Sequence, residues 1–300
     1  MATNLPSVKQ LRYFVALAEH GHFGRAADAC FVSQSAFSVG IQELEAALDV
    51  QLVDRTNRQV TVTAIGREVA EQARLCLRDL ESLVQMARVG QKPLSGPLRL
   101  GVIPTISPFL LPRVLPLVRR SFPELKLFLV EDLTERLHQK LLAGDIDLML
   151  FAVPYELRNV ETEALFRDRF LLAAHRRTSL VDPENYRYNR LHADSVLLLE
   201  EGHCLREHAI DACRIRSSEK VSRFAATSLL TLIEMVDADL GITFLPEMAR
   251  DSALLNATDV GLWPMGERSY REIALGWRRG SARADEFREL GAFITDNRQT

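Results

Sequence analysis

RAADACFVSQSAFSVGIQELEAALDVQLVDRTNRQVTVTAIG, residues 25–66, runs through two helical patterns, a tight turn and two short extended runs without interruption. The first pattern is a short helix from Arg25 to Cys30. Phe31-Val32-Ser33 breaks it, and Phe37, Ile41, Leu44 and Leu48 then recur every three or four residues between about 34 and 48. That spacing gathers them on one helix face. Ser33 is placed to cap this helix, because a serine hydroxyl accepts hydrogen bonds from the free amides of a first turn. LVDR and QVTVT, within residues 52–63, read as a hairpin with Thr56-Asn57 at its turn. Upstream, Leu11, Phe14, Val15 and Ala18 sit at helical spacing, with Gly21 and Gly24 as punctuation. Helix, tight turn, helix and hairpin in this order predict a winged helix-turn-helix over residues 1–63.

Residues 64–89 form a proline-free helical run in which Ile65, Val69, Ala73, Cys76, Leu80, Leu83 and Ala87 recur with a period near 3.5. A narrow apolar seam of that period suits a helix paired with a second copy. The alternative is an ordinary amphipathic helix lying on its own domain. A linker helix is expected over 64–91. The stretch from Gln91 to Pro97 cannot continue it. Beyond, strand and helix patterns alternate: 98–104, 109–121, 125–130, 133–143 and 146–153, then strands at 170–174, 196–199, 242–246 and 272–277 with helices near 228–238 and 282–295. The βαβαβ rhythm of 98–153 predicts a parallel sheet with covering helices, and its later resumption extends the α/β region over 92–300.

Composition narrows the classes. The chain has 300 residues, 47% of them hydrophobic, enough for more than one packed core. No run of 18 apolar residues occurs, so no membrane span is expected. MATNLPSVKQLRYF lacks the pattern of a secretion signal, so a cytoplasmic location is expected. The net charge is −3, and acidic and basic residues nearly balance over residues 1–90. A DNA-binding reading therefore rests on pattern and not on a basic excess. The four cysteines, Cys30, Cys76, Cys204 and Cys213, are too few for a disulfide scaffold. In a reducing compartment a cysteine pair points to redox or metal chemistry.

The opening stretch resembles the N-terminal module of LysR-type transcriptional regulators. The resemblance rests on Ala26-Ala27, Val32-Ser33-Gln34, Leu44-Glu45, Leu48-Asp49-Val50, Arg55 and Thr63-Ala-Ile-Gly66. Ser35 and Asp49 depart from it, standing where proline and glycine are common. It implies duplex DNA as a partner, with the second helix of the motif in the major groove. The residues expected to contact DNA are Ser33, Gln34, Ser35 and Ser38 on that helix, and Arg55 and Arg58 on the wing. For any one of them alone, a solvated surface role is the competing reading.

Residues 196–213, VLLLEEGHCLREHAIDAC, hold two cysteines nine apart. On one helix nine residues are about 900° of turn and about 13.5 Å of rise, so the two would face opposite ways. A disulfide needs Cα atoms roughly 4.4–6.8 Å apart. If residues 205–212 are helical when reduced, that turn must unwind for the bond to form. Two conformations, each tied to a redox state, follow from the spacing. Arg206 and His203 lie close enough in sequence to favour a Cys204 thiolate, the reactive form.

Gly202-His203-Cys204, Arg206-Glu207 and Cys213 are similar to the signature of the OxyR branch of the LysR-type family, the hydrogen-peroxide sensors. The similarity continues through Gly101-x-Ile-Pro-Thr105, Thr134, Ala226-Thr-Ser-Leu229, Gly241-Ile-Thr-x-Leu-Pro246 and Arg278-x-Gly280. It implies two Rossmann-like lobes arranged as in periplasmic binding proteins, lobe I at about 92–166 and 270–300 and lobe II at about 167–269. It implies peroxide activation by Thr105, Thr134, His203 and Arg278, oxidation of Cys204 to a sulfenic acid, and a disulfide with Cys213. Partners implied are hydrogen peroxide, RNA polymerase, a cellular thiol reductant and copies of the same chain, as a tetramer; no cofactor is expected. For Thr105 and Thr134 the residues alone favour capping roles. A metal site at His203, Cys204, His208 and Cys213 matches no closed zinc spacing. An organic effector in the cleft between lobes, or a thiol peroxidase, are the alternative functions; the winged module argues against the enzyme.

Overall fold

The structure is a computed structural model that describes residues 5–55, 60–87, 94–213, 215 and 218–298. The chain divides into two compact units, Met1–Lys92 and Pro93–Thr300.

In the first unit, α1 (Val8–His20), α2 (Phe23–Ala29) and α3 (Gln34–Leu48) pack around Phe14, Leu17, Phe37, Ile41 and Leu44. These side chains are fully buried, and each contributes about 1.5–3 kcal/mol through apolar area removed from water. Gly40 lets α1 and α3 approach: a Cβ there would meet the Tyr13 ring at 2.8 Å. Gly24, expected as a break, instead lies in the first turn of α2, because the His22 imidazole caps it by accepting from the Gly24 and Arg25 amides. The antiparallel wing strands β1 (Val53–Arg55) and β2 (Val60–Val62) follow. Glu45 holds the entry to the wing by accepting from the Leu52 and Val53 amides at 2.8 and 3.2 Å. Thr63 accepts from the Gly66 amide as α4 (Ala64–Ala87) begins, and a Cβ on Gly66 would meet the Leu52 carbonyl oxygen at 2.2 Å. The Thr63-x-x-Gly66 pattern is thus a hydroxyl cap plus a close backbone approach. Ile65, Leu80, Leu83 and Val84 of α4 are exposed.

The second unit is built on one seven-stranded sheet. Its strands are β3 (Gly96–Val102), β4 (Leu125–Glu131), β5 (Leu148–Val153) and β6 (Val160–His175), joined later by β9 (Thr243–Pro246), β10 (Val260–Pro264) and β11 (Tyr270–Arg278). The spatial order is β10-β6-β11-β5-β3-β4, with β9 also on β6. Only β3, β4 and β5 run parallel, joined by α5 (Ser107–Ser121) and α6 (Thr134–Ala143). These are the strands for which a parallel sheet was expected; β11 and β6 are antiparallel to their neighbours, so the sheet as a whole is mixed. Beta6 crosses from one half of the unit to the other. Its first half pairs β11 and its second half pairs β9 and β10.

Two hydrophobic cores result. One holds Leu100, Leu148, Phe151, Leu275 and Trp277 under α5, α6 and α9 (Ala284–Asn297). The other holds Phe170, Val196, Ile233 and Phe244 beneath α8 (Leu229–Asp237), beside the parallel pair β7 (Val196–Leu199) and β8 (Val221–Ala226). The helix α7 (Cys204–Ala212) joins them.

Candidate functional site

Cys204 is the first residue of α7, placed there by the turn before it. Gly202 has φ 97°, a left-handed conformation that favours glycine. His203 then takes extended backbone as the N-cap, without a side-chain cap bond. Cys204 belongs to the first core and is 6% exposed.

Burial pushes the Cys204 thiol above its ordinary pKa. The largest opposing influence is the positive charge of Arg271. The Thr134 hydroxyl, which has no partner of standard geometry among the described residues, faces the sulfur and also favours the thiolate. Glu207 works the other way. At rest the site therefore holds a protonated thiol next to a fixed cation.

Arg271 was not anticipated. It is 1% exposed on β11, and every arm of its guanidinium is held. Nε donates to Asp168 Oδ2 at 3.0 Å. Nη1 donates to Thr105 Oγ1 at 3.0 Å and Nη2 to the Thr105 carbonyl at 2.9 Å. Asp168 lies directly across from Arg271 in the β6–β11 ladder, and its Oδ1 accepts from the Met248 amide. A signal for Arg271 was present: in YREIALGW it alternates in phase with Ile273, Leu275 and Trp277, all buried. An arginine in phase with core residues is either paired or functional.

Arg278, expected here, is seven positions further along β11, an odd separation that turns it to the other face. It donates to the Leu141 carbonyl. Arg206 likewise donates to the Leu199 carbonyl at 3.0 Å. Neither arginine has the thiol as its partner.

Among the expected peroxide-site residues, Thr105, Thr134 and His203 are all buried. Thr134 Oγ1 and His203 Nδ1 have no hydrogen-bond partner among the described residues, nor does Nδ1 of His208, one helical turn after Cys204. The other His208 ring nitrogen lies 3.0 Å from the Pro154 carbonyl. Buried polar atoms are rarely left unpaired; His203 precedes Cys204 in the chain, His208 follows it by one helical turn, and Thr134 is the one of the three that reaches the sulfur.

Cys213 caps the far end of α7 and belongs to the second core. Burial pushes its thiol well above the ordinary range, and its Sγ lies 3.7 Å from the Met265 sulfur. Both cysteines are free thiols. Among the described residues no group of three or more His, Cys, Asp or Glu is arranged to hold a metal ion.

On the first unit, Ser33 caps α3 by accepting from the Ala36 amide, and its hydroxyl lies 3.1 Å from that of Ser35. Gln34 and Ser35 are exposed and Ser38 is half-buried. Phe31, not singled out from the sequence, is exposed at the turn with φ 56°. The Arg55 backbone ends β1, whereas Arg58 lies outside the described residues.

Two family models match: the bacterial regulatory helix-turn-helix protein, lysR family, over residues 8–67, and the LysR substrate binding domain over residues 91–299. The "Hydrogen peroxide-inducible genes activator" of Haemophilus influenzae is 36% identical over 293 residues, 97% of this chain and 96% of that protein. The "HTH-type transcriptional regulator EstR" of Acinetobacter baylyi is 37% identical, covering 94% of each. A full-length OxyR variant from Pseudomonas aeruginosa aligns with a TM-score of 0.76 at 31% identity, over 97% of this chain and 98% of that one. No helix among the described residues is long and apolar enough to cross a membrane. The chain therefore belongs to the LysR family of transcriptional regulators, with an N-terminal DNA-binding helix-turn-helix and a C-terminal α/β regulatory region.

Proposed function

We propose that this regulator senses hydrogen peroxide through Cys204 and reports it through a Cys204–Cys213 disulfide. The supporting observation is the buried Cys204 thiol on which the positive charge of Arg271 and the hydroxyl of Thr134 both act in favour of the thiolate. The names of its relatives agree with that reading.

Ionised Cys204 attacks one peroxide oxygen. The O–O bond breaks, and the departing hydroxide takes a proton to leave as water, so the sulfur is oxidised to a sulfenic acid while the peroxide is reduced. Thr134 and His203 orient the peroxide, and Arg271 stabilises the thiolate and the charge developing on the departing oxygen. The Cys213 thiol, losing its proton, then attacks the Cys204 sulfur, and a second water leaves as the S–S bond forms. A thiol reductant returns both cysteines to the thiol state.

The output is at DNA. Gln34 and Ser35, exposed on the first turn of α3, read base edges, with Ser33, Ser38, Arg55 and Arg58 as further contacts. Residues 1–63 form the DNA-binding part, 64–91 the linker helix and 92–300 the sensor. The exposed seam of Ile65, Leu80 and Leu83 supports pairing of linker helices between copies, within a tetramer. The protein works on chromosomal DNA in the cytoplasm, engaging RNA polymerase at antioxidant genes.

Mass spectrometry of the peroxide-treated full chain tests this reading. A Cys204–Cys213 linked peptide is expected, and Cys204→Ser abolishes the peroxide-dependent change in DNA footprint. An unchanged footprint response in Cys204→Ser would instead favour an organic effector in the cleft.

A further inference from the structure

The mechanism above uses Arg271 but leaves its partner without a role. Asp168 and Arg271 form a buried ion pair, 3% and 0% exposed in their side chains, with both remaining guanidinium nitrogens on Thr105. Burial pushes the Asp168 carboxyl up, while the Arg271 guanidinium bonded to it and the Met248 amide hold it down, and a buried cation without a counter-charge is costly. The charges around this pair are few. The charge of Arg271 on β11 acts on both Cys204 and His208, that of Glu207 on α7 acts on Cys204, that of Asp211 on α7 acts on His208, and that of Glu247, in the turn after β9, acts on Asp168. Tyr155, between β5 and β6, also lies near enough to feel the Cys204 charge.

We propose that Asp168 is a positioning residue that holds Arg271 on Thr105 and partly cancels its charge, and so restrains the reactivity of Cys204. Two anions compete for one cation: the Asp168 carboxylate, bonded to Nε at 3.0 Å, and the thiolate, formed only when a proton leaves. As long as Asp168 occupies Nε, Arg271 favours the thiolate only with the remainder of its field. The carboxylate is also tied to the Met248 amide, so the restraint is anchored in the backbone of the turn that starts at Glu247.

A purely structural role gives the opposite sign. If Asp168 merely held Arg271 in place, its loss would let the guanidinium drift and make the thiol less acidic. If it restrains the charge, Asp168→Asn leaves an uncompensated cation beside the sulfur and makes the thiol more acidic.

The role assigned to Asp168 rests on Cys204 being the redox thiol, and it is tested without peroxide. The full-length reduced protein is alkylated with iodoacetamide across a pH series, and modification of the Cys204 peptide is quantified by mass spectrometry. In Asp168→Asn the midpoint moves to lower pH by one unit or more, which at neutral pH is about tenfold faster alkylation. Asp168→Glu, which restores the charge, returns the midpoint towards that of the wild type. A midpoint in a folded Asp168→Asn protein that is unmoved, or moved to higher pH, overturns the proposal. Should Asp168→Asn not fold, the smaller Asp168→Ser carries the same expectation. If alkylation follows this pattern while peroxide leaves Cys204 untouched, it is the peroxide reading that fails.

Discussion

Cys204 and Cys213 sit at the two ends of α7, yet their sulfurs are buried in different hydrophobic cores. The intervening helix holds them about 13.5 Å apart along its axis, about twice the Cα separation a disulfide allows. Bond formation must therefore extract at least one thiol from its core and dissolve the helix between them. Three local contacts resist this: His208 on the Pro154 carbonyl, Arg206 on the Leu199 carbonyl, and Ser269 Oγ donating to the Ala212 carbonyl. The buried Leu205 and Ala209 of α7 must leave the second core in the same step.

The Arg271–Asp168 pair carries a stability consequence. Arg271→Met leaves Asp168 as a buried charge without its partner, and the expected cost is about 3–5 kcal/mol in denaturant unfolding. Arg271→Met with Asp168→Asn removes both charges and recovers a large part of that loss. A double variant no more stable than Arg271→Met would show that the pair is not the source of the cost.

The two cysteines predict an alkaline limit. Burial raises both folded thiols above their unfolded values. The unfolded chain therefore loses its thiol protons first, and stability falls as pH rises through the ordinary thiol range, from about 8.5 upward. Below that range both thiols are protonated in either state and the contribution is fully present. Each group contributes a slope of at most about 1.4 kcal/mol per pH unit. Chemical denaturation of the reduced protein between pH 7 and 10 should show a shallower decline for Cys213→Ala than for the wild type.

In the proposed DNA interface, Gln34 is exposed on the first turn of α3, where a side-chain amide can pair with an adenine edge. Gln34→Ala should weaken binding to the specific site by about 1–3 kcal/mol while leaving non-specific binding in place. Titration against specific and scrambled duplexes at one salt concentration checks this. Equal losses on both would assign Gln34 to the phosphate backbone.

The N-terminal unit was legible because its signals are local. The Ser33 cap, the 37-41-44-48 stripe and the Thr63-x-x-Gly66 cap each lie within a few residues of what they organise. The parallel strands β3 and β5 were equally plain, β5 being a continuous apolar run and β3 one interrupted only by Arg99. The first half of β6, VETEALFRDR, was missed because it alternates charge with small apolar residues. The same holds for β8, where VSRFAA leaves Phe224 exposed. Those strands are fixed by the partners they pair with and not by their own pattern. The site divides in the same way. His203 and Cys204 share a turn and could be read together, whereas Asp168 and Arg271 are 103 residues apart and meet only through strand pairing. The register of β11 decides which arginine turns inward, and it chooses Arg271 over Arg278.

Amide hydrogen exchange read by mass spectrometry on reduced and peroxide-treated full-length protein, with cysteine linkage mapped in the same samples, tests the switch most directly. Linkage of Cys204 to Cys213 should appear together with loss of protection across 204–213, at matching peroxide doses, while the strands β3 and β5 keep theirs. A linked peptide that forms while α7 stays fully protected would mean that the two thiols meet without the helix unwinding, and the redox switch described here would be wrong.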